Sequence, residues 1–302
     1  VPEVTTFAGT GSSGSEDGFG TEAEFHYPSG VTSDGTSIFV ADKNNHVIRR
    51  VDISTGEVTT FAGEVGNSGH QDGYGTSSVY FNSPSGITTD GTNLYVADTY
   101  NNRIRQIVID TGEVSTLAGN NNSGSGDGTG DNAYFYSPYD ITTDGTNLYV
   151  ADSDNHKIRK IVISSRVVST IAGGYSGYYG GYQDGNGTNS SFNYPKGITI
   201  DGNTLYVSDS SNNRIRKIDL STNDVTTLAG DGDGGSYDGN GINSGFGHPS
   251  GIVTDGVNLY VSDQYAYKIR KIDLSTDDVT TIAGSGSYGS ADGRGTEASF
   301  KE

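Results

Sequence analysis

The sequence predicts an all-β fold, a β-propeller built from tandem copies of one repeat. A Val-Thr/Ser-Thr-x-Ala-Gly string recurs along the chain, and each string is followed by a glycine-rich stretch that contains Asp-Gly and ends in Phe. The string begins at Val4, Val58, Val114, Val168, Val225 and Val279. Between the strings lie short runs of Val, Ile, Leu, Tyr and Thr that are bounded by turn residues and lack helical periodicity. Four hairpin-linked runs per copy favour radially packed blades over a coiled solenoid.

Each complete copy supplies four predicted strands, which we label a to d. In the second copy they are Ile87–Thr89, Leu94–Ala97, Ile104–Ile109 and Val114–Ala118. The Asp-Gly and Asn-Asn pairs between such runs are typical of tight turns. Five copies are complete, and the sixth stops where its strand a would begin. We therefore predict one domain over residues 1–302 with five four-stranded blades, the alternative being six blades.

The strand count leaves one strand d without a blade, because an extra strand d lies at the N-terminus. An unpaired strand edge exposes N–H and C=O groups that can pair with another sheet. We therefore predict that the chain associates with itself head to tail, in a filament. The predicted assembly strands are Val4, Thr5, Thr6, Phe7 and Ala8, and Val279, Thr280, Thr281, Ile282 and Ala283. The alternatives are a monomer in which the extra strand pads a blade, and a fragment of a longer six-bladed chain.

Composition argues against several partners and sites. The formal net charge of −19 disfavours binding to nucleic acid or anionic lipid, because phosphate recognition depends on Lys and Arg. No apolar run is long enough to span a membrane. The lack of Cys excludes disulfides and zinc–thiolate sites. The chain also lacks Met, even at its first position, which indicates either a processed protein or a segment of a longer one. Removal of a secretory signal is the simplest cause, so we predict that the protein is extracellular or at the cell surface.

Each strand b ends in Asp, and an Arg follows on strand c. The pairs are Asp42 and Arg49, Asp98 and Arg105, Asp152 and Arg159, Asp209 and Arg216, and Asp263 and Arg270. A copy in every blade indicates an architectural contact, since catalysis usually needs one unique group. His46 and His156 stand where the second copy has Asn102, so we interpret them as repeat variants rather than catalytic groups.

The long loops before each strand a offer two further candidate sites. Their Asp-Gly carboxylates are candidate Ca²⁺ ligands, with turn formation as the favoured alternative: Asp17, Asp72, Asp127, Asp184, Asp238 and Asp292. No other cofactor is predicted. The fourth loop carries Tyr175, Tyr178, Tyr179 and Tyr182 among glycines, a composition suited to binding a glycan or a protein. The alternative is that these rings cover the neighbouring blade.

Two segments, Asp42–Arg49 and Asp152–Arg159, read Asp-x-x-Asn-His-x-Ile-Arg after Val-Ala, and they resemble the NHL repeat. The resemblance extends over essentially the whole chain, although Gln264–Tyr267 departs from it in the fifth copy. It implies a β-propeller with radially arranged blades. Related domains bind RNA through basic surfaces, and related lyases hold metals with converging His or acidic residues. The net negative charge argues against the first activity here, and the lack of a distinctive polar cluster argues against the second.

These observations predict a secreted, non-enzymatic structural or assembly protein that has itself as a partner. The first alternative is a propeller that binds a glycan or peptide ligand. The second is an enzyme of the lyase or lactonase kind, because fold alone does not decide function.

Overall fold

The computed structural model describes residues 2–174 and 180–301, and it is an all-β propeller of five blades. Each blade is a five-stranded antiparallel sheet with the same strand order. The first strand, β1 (Glu3–Val4), lies outside the five blades. Blade 1 consists of β2 (Gly18–Phe19), β3 (Pro28–Ser33), β4 (Ser37–Asp42), β5 (Val47–Asp52) and β6 (Glu57–Ala62). Blade 2 consists of β7 (Gly73–Tyr74), β8 (Pro84–Thr89), β9 (Asn93–Asp98), β10 (Arg103–Val108) and β11 (Glu113–Gly119).

Blades 3 to 5 repeat the same five-strand pattern. They consist of β12 (Gly128–Thr129), β13 (Pro138–Thr143), β14 (Asn147–Asp152), β15 (Lys157–Val162) and β16 (Val167–Ala172), then β17 (Gly185–Asn186), β18 (Pro195–Asp201), β19 (Thr204–Asp209), β20 (Arg214–Asp219) and β21 (Asp224–Ala229), then β22 (Gly239–Asn240), β23 (Pro249–Thr254), β24 (Asn258–Asp263), β25 (Lys268–Asp273) and β26 (Asp278–Ala283). A last short strand, β27 (Gly293–Arg294), pairs with β1 in a separate two-stranded sheet.

The five-blade prediction is confirmed, but the predicted number of strands per blade was too small. In blade 2 the sheet order is β7-β11-β10-β9-β8, so strands a to d lie side by side and a short fifth strand lies outside strand d. That fifth strand comes from the long loop before strand a, where Gly73 pairs with Val114 and Tyr74 pairs with Glu113. The loop is long because it returns to the open edge of strand d and satisfies hydrogen-bonding groups there.

Short 3₁₀ turns connect many of the strands, and the described part of the chain contains no α-helix. The 3₁₀ turns are Gly20–Glu22, Lys43–Asn45, Thr99–Asn101, Gly130–Asn132, Ser153–Asn155, Gly187–Asn189, Ser210–Asn212, Gly241–Asn243, Gln264–Ala266 and Gly295–Glu297. The turn between strands b and c ends in a residue with left-handed backbone, such as Asn102 with φ 54°. Asn tolerates this conformation better than most residues. Within residues 2–174 and 180–301, no helix is long and apolar enough to cross a membrane.

The chain divides into two compact units. One comprises residues 6–155 and 160–169, and the other comprises residues 1–5, 156–159 and 170–302. In the first unit, side chains from strands b and c of one blade pack against the next blade. Phe39, Ala41 and Ile48 of blade 1, for example, share a core with Ile87 and Leu94 of blade 2. Burial of such apolar surface is the main source of stability for each blade pair.

The second unit repeats this packing between blades 4 and 5. Tyr206 and Ile215 of blade 4 lie in one buried cluster with Ile252, Leu259 and Ile272 of blade 5. We call the face of a blade that packs on the preceding blade its front face, and the opposite face its back face. In each of these contacts an aromatic residue of strand b and an Ile of strand c come from the back face.

Candidate functional site

The first candidate site is the strand pair at the two ends of the chain. Glu3 pairs with Arg294 and Val4 pairs with Gly293 in antiparallel register. The N–H of Gly295 also donates to the carbonyl oxygen of Pro2 at 2.9 Å. Every complete blade has the equivalent bond between its short outer strand and the residue before strand d. The N-terminal strand therefore occupies the position of a strand d relative to β27.

The terminal strand pair differs from a complete blade in the neighbours of its strand d. In blade 2, strand β11 pairs with β10 on one side and β7 on the other. Among the described residues, β1 pairs with β27 alone. Of the predicted strand Val4–Ala8, only Val4 has strand structure, and the side chain of Phe7 is 50% exposed. Without a strand c beside it, most of this segment does not form a ladder.

The C-terminal member of the predicted assembly strands lies inside a blade. Val279, Thr280, Thr281, Ile282 and Ala283 all belong to β26, which pairs with both β25 and β22 in blade 5. The C-terminal strand d thus stays in its own blade.

The second candidate site is the set of buried arginines on strand c. In blade 1, Arg49 binds Asp42 at 3.0 Å and Asp17 at 2.7 Å. It also donates to the carbonyl oxygens of Glu24 at 2.7 Å and Glu16 at 3.1 Å. Its guanidinium lies over the ring of Phe25, 5.1 Å from the centroid. This fully buried cation thus joins strands b and c to the long loop of the same blade.

Three further blades show the same arrangement. Each pairs an Arg with the Asp of strand b and with the Asp of the loop: Arg105 with Asp98 and Asp72, Arg216 with Asp209 and Asp184, and Arg270 with Asp263 and Asp238. The predicted architectural contact between strands b and c is therefore present in blades 1, 2, 4 and 5. A charge buried in this way is stable only because its partners and hydrogen bonds are present.

Burial perturbs the carboxyl groups of strand b. It raises the pKa of Asp42, Asp98 and Asp209, while hydrogen bonds and the neighbouring Arg oppose the rise. The carboxylate of Asp42 accepts hydrogen bonds from Asn45, Arg49 and the backbone N–H of His26. These three donors occupy both oxygens of the carboxylate, so it is suited to holding the blade together rather than to acid–base chemistry.

The loop carboxylates named as candidate Ca²⁺ ligands have Arg as a partner in blades 1, 2, 4 and 5. Asp72, for example, also accepts from the hydroxyl and the backbone N–H of Thr116. Asp127 and Asp292 stand at the same repeat position. In the part of the chain that the structure describes, no group of three or more His, Cys, Asp or Glu side chains is placed to hold a metal ion. Calcium binding by these loops stays a prediction.

The two histidines of the b–c turns connect neighbouring blades. The Nδ1 atom of His46 accepts the backbone N–H of Ser83 at 3.0 Å, and His156 accepts that of Tyr194 at 3.0 Å. In blade 2 the same turn position holds Asn102, whose side-chain oxygen accepts a backbone N–H of the following blade at 2.9 Å. The interpretation of these histidines as repeat variants of Asn102 agrees with this shared contact.

The tyrosine loop is only partly described. Tyr175, Tyr178 and Tyr179 lie outside the described residues. The ring of Tyr182 lies over the guanidinium of Arg214 at 3.8 Å, and its hydroxyl lies 3.0 Å from that of Thr227. Both contacts are with strands of blade 4, so this exposed tyrosine covers the outer part of that blade.

Sequence reasoning missed the contact between the loop Asp and the Arg of strand c. The two residues are separated by 32 positions in blade 1 and by 33 in blade 2. This nearly constant spacing between an Asp-Gly pair and a following Ile-Arg was the available signal.

The chain is similar to a known repeat family and to known proteins. Residues 81–107 and 192–218 match the family model described as NHL repeat. The chain is 32% identical over 285 residues to the protein SUPPRESSOR OF QUENCHING 1, chloroplastic, of Arabidopsis thaliana, over 88% of this chain and 26% of that protein. It is 30% identical over 307 residues to NHL repeat-containing protein 2 of Homo sapiens, over 89% of this chain and 42% of that protein. The chain thus spans less than half the length of either relative.

Solved structures share the fold at lower identity. A structural genomics protein of unknown function from Bacteroides thetaiotaomicron superposes with a TM-score of 0.70 at 21% identity, covering 99% of this chain and 68% of that chain. A chain of the nidogen/laminin complex superposes with a TM-score of 0.60 at 19% identity, covering 84% and 79%. At these identities the likeness concerns the fold alone.

Proposed function

Because this chain belongs to the NHL repeat family of β-propellers, we propose that it is a non-enzymatic assembly protein that links copies of itself head to tail by exchanging the N-terminal strand. In this arrangement β1 of one copy pairs with β27 of the next. The contact joins different surfaces of the two copies, so repetition makes an open filament rather than a closed dimer.

The observation that carries this proposal is the small size of the terminal strand pair. It consists of two residues on each strand, whereas strands c and d of blade 2 pair over five positions. The side chains of Glu3, Thr5 and Thr6 are exposed, and that of Phe7 is half-exposed. Little buried surface is lost when this segment leaves, and the same hydrogen bonds form again on another copy, which is the condition for strand exchange.

A non-enzymatic role is supported by what the buried ionisable groups do. The arginines and the carboxylates of strand b pair with each other in blade after blade, which stabilises the fold. An extracellular location and the lack of a nucleic-acid partner are part of the same proposal. The net charge of −19 supports the second of these, because nucleic-acid binding depends on Lys and Arg. Binding of a glycan or peptide by the tyrosine loop is the alternative function.

The direct test uses engineered cysteines, since the chain has none of its own. Glu3 and Arg294 are direct cross-strand partners, a geometry within disulfide reach. We expect a mixture of Glu3→Cys and Arg294→Cys chains, concentrated and mildly oxidised, to form a covalent heterodimer. Electrophoresis without reductant measures it.

A matched control is available because residues 57–63 have the same sequence as residues 3–9. Glu57→Cys therefore places a thiol in identical local sequence but within blade 1. The proposal is wrong if Glu3→Cys chains give no more heterodimer with Arg294→Cys than Glu57→Cys chains do.

Removal of the N-terminal segment tests the same proposal without cysteines. We expect a chain that lacks Val1–Gly9 to remain monomeric at concentrations where the full chain associates. Sedimentation velocity measures both, and an unchanged oligomeric state would contradict the role of this segment.

A further inference from the structure

The turn between strands b and c of blade 5 departs from the repeat. It begins Gln264-Tyr265-Ala266, whereas the corresponding turns of blades 1 to 4 carry Asn at the third position. That Asn binds the carboxylate at the end of strand b, as Asn212 binds Asp209 at 2.9 Å in blade 4. In blade 5 the hydroxyl of Ser236 donates to Asp263 at 2.8 Å in its place. A turn that keeps this contact by other means can carry different side chains at its tip.

The rings of Tyr265 and His248 pack together at this tip. Their centroids are 4.6 Å apart, with 37° between the ring planes, and the side chain of Tyr265 is 59% exposed. The backbone N–H of Tyr265 donates to the carbonyl oxygen of Gly247 at 3.0 Å, which holds the turn beside His248. Burial lowers the pKa of His248, and the nearby ammonium of Lys196 adds to this, so the imidazole is neutral near pH 7. The pair offers an electron-rich ring face with hydrogen-bonding groups at its edge.

Polar side chains of blades 4 and 5 lie beside the two rings. The Nζ atom of Lys196 donates to Oε1 of Gln264 at 3.0 Å. The Oγ atom of Ser211 lies 3.5 Å from Nε2 of His248, which is longer than an ordinary hydrogen bond. These side chains are partly exposed, so they can meet a ligand at the protein surface. Five residues form what we call the ring-pair surface: Lys196, Ser211, His248, Gln264 and Tyr265.

The ring-pair surface is not repeated around the chain. The residues of other blades that correspond to Lys196 are Ser29, Ser85, Tyr139 and Ser250. The residues that correspond to His248 are Tyr27, Ser83, Ser137 and Tyr194. A side chain that occurs at one position of a repeat and is replaced in every other copy is not required by the repeated architecture. Such a departure indicates a role beyond the fold.

We propose that the ring-pair surface binds an oligosaccharide that contains one hexuronic acid. A sugar ring stacks its C–H face on Tyr265, because C–H groups carry partial positive charge and the aromatic face is negative. Hydroxyls of the sugar bond to His248 and Ser211, and the carboxylate binds the ammonium of Lys196. Few polar groups beside an aromatic platform are enough to orient such a ligand.

The charge of the chain limits the class of ligand. One ammonium group in a chain of net charge −19 favours a ligand with a single carboxylate over a polyanion such as RNA. All residues of the ring-pair surface belong to the unit that contains residues 170–302. They lie in blades 4 and 5 and outside the terminal strand pair, so the proposal does not depend on strand exchange.

The first experiment varies the ligand and leaves the protein unchanged. Three trisaccharides, each with one glucuronic, galacturonic or mannuronic acid residue, are titrated into the full chain by calorimetry beside their methyl esters. We expect at least one acid to bind with a Kd below about 1 mM. Its ester keeps the sugar ring but loses the charge, and we expect it to bind at least about tenfold more weakly.

The second experiment varies the protein and uses the acid that binds best. Tyr265→Ser introduces the residue that blade 4 has at this position, and we expect it to weaken binding at least about fivefold. Tyr100→Ser is the matched control, because Tyr100 occupies the same turn position in blade 2 and is 62% exposed. It should leave the affinity unchanged. Both variants should keep the melting temperature within about 2 °C, as for exposed sites.

Replacement of the ammonium tests the role of charge. Lys196→Ser introduces the residue of blades 1, 2 and 5, and we expect the acid and its ester to bind this variant equally. If the variant does not fold, the comparison of acid and ester on the unchanged chain still decides. The proposal is overturned if no acid binds at about 10 mM, if acid and ester bind the unchanged chain equally, or if Tyr265→Ser and Tyr100→Ser have equal effects. Tighter binding of hexauridylate than of every trisaccharide would also overturn it.

Discussion

Residues 3–9 and residues 57–63 share the sequence Glu-Val-Thr-Thr-Phe-Ala-Gly, yet the two segments differ in structure. Residues 57–62 form strand β6, which pairs with β5 and β2. In the N-terminal copy, strand structure is limited to Glu3 and Val4. Val58 is fully buried, while Val4 is half-buried. An identical sequence thus forms a full strand only where a strand c lies beside it, which is the context dependence expected of β-strands.

The largest expected effect on stability is that of replacing the buried Arg of strand c. Arg49→Ala removes the cation between Asp42 and Asp17. We expect the free energy of unfolding to fall by about 3–5 kcal/mol, because a buried carboxylate is left without its partner. Urea denaturation measures it. Arg166→Ala is the control: it removes an exposed pair with Asp131 and hydrogen bonds to the carbonyl oxygens of Leu117 and Thr116, and it should cost about 1–2 kcal/mol. Equal losses for the two variants would contradict the prediction.

A smaller effect compares the two identical segments directly. Val58→Ala deletes buried methyl groups from the core, and we expect it to cost about 2 kcal/mol. Val4→Ala makes the same chemical change in the same sequence and should cost less than about 0.5 kcal/mol. Similar shifts in the urea midpoint for both variants would show that the N-terminal copy is packed like a blade strand in solution.

The contact between blades 1 and 2 predicts a pH dependence. Burial lowers the pKa of His46, with Asp98 opposing this and His26 adding to it. The folded form therefore binds the proton less readily than the unfolded chain. The stabilisation is fully present above the unfolded pKa of about 6.5 and is lost as the pH falls below it. We expect His46→Asn to reduce the stability loss between about pH 7.5 and 5.5. An identical pH profile for wild type and His46→Asn would contradict the prediction.

The smallest expected effect concerns metal removal. The loop carboxylates of Asp17 and Asp72 accept charged hydrogen bonds from Arg49 and Arg105. A positively charged partner already in place competes with Ca²⁺ for the same oxygens. We expect EDTA to shift the melting temperature by less than about 1 °C. A clear fall, reversed by added Ca²⁺, would support the calcium hypothesis instead.

Much of the fold could be predicted from the repeat because the relevant signals are local. The blade number, the four long strands and the contact between Asp42 and Arg49 all follow from short spacings within one copy. The fifth strand and the contact between Asp17 and Arg49 join residues farther apart, and only the constant spacing between copies indicated them. Val31 is 65% exposed, whereas Ile87 at the same repeat position of blade 2 is 4% exposed. The exposure of Val31 could not be predicted, because its strand reads like that of blade 2. The difference lies in what packs on it.

The identical segments at residues 3–9 and 57–63 also bear on the order of events during synthesis. When β5 leaves the ribosome, residues 3–9 are already available, while residues 57–63 have yet to emerge. The earlier copy can therefore pair first with β5 in the place of β6. Closing the long loop of residues 10–46 costs roughly 2 kcal/mol more in chain entropy than closing the short turn after β5. Displacement by the native β5–β6 hairpin would then leave the N-terminal copy to pair with β27, which is made much later in synthesis.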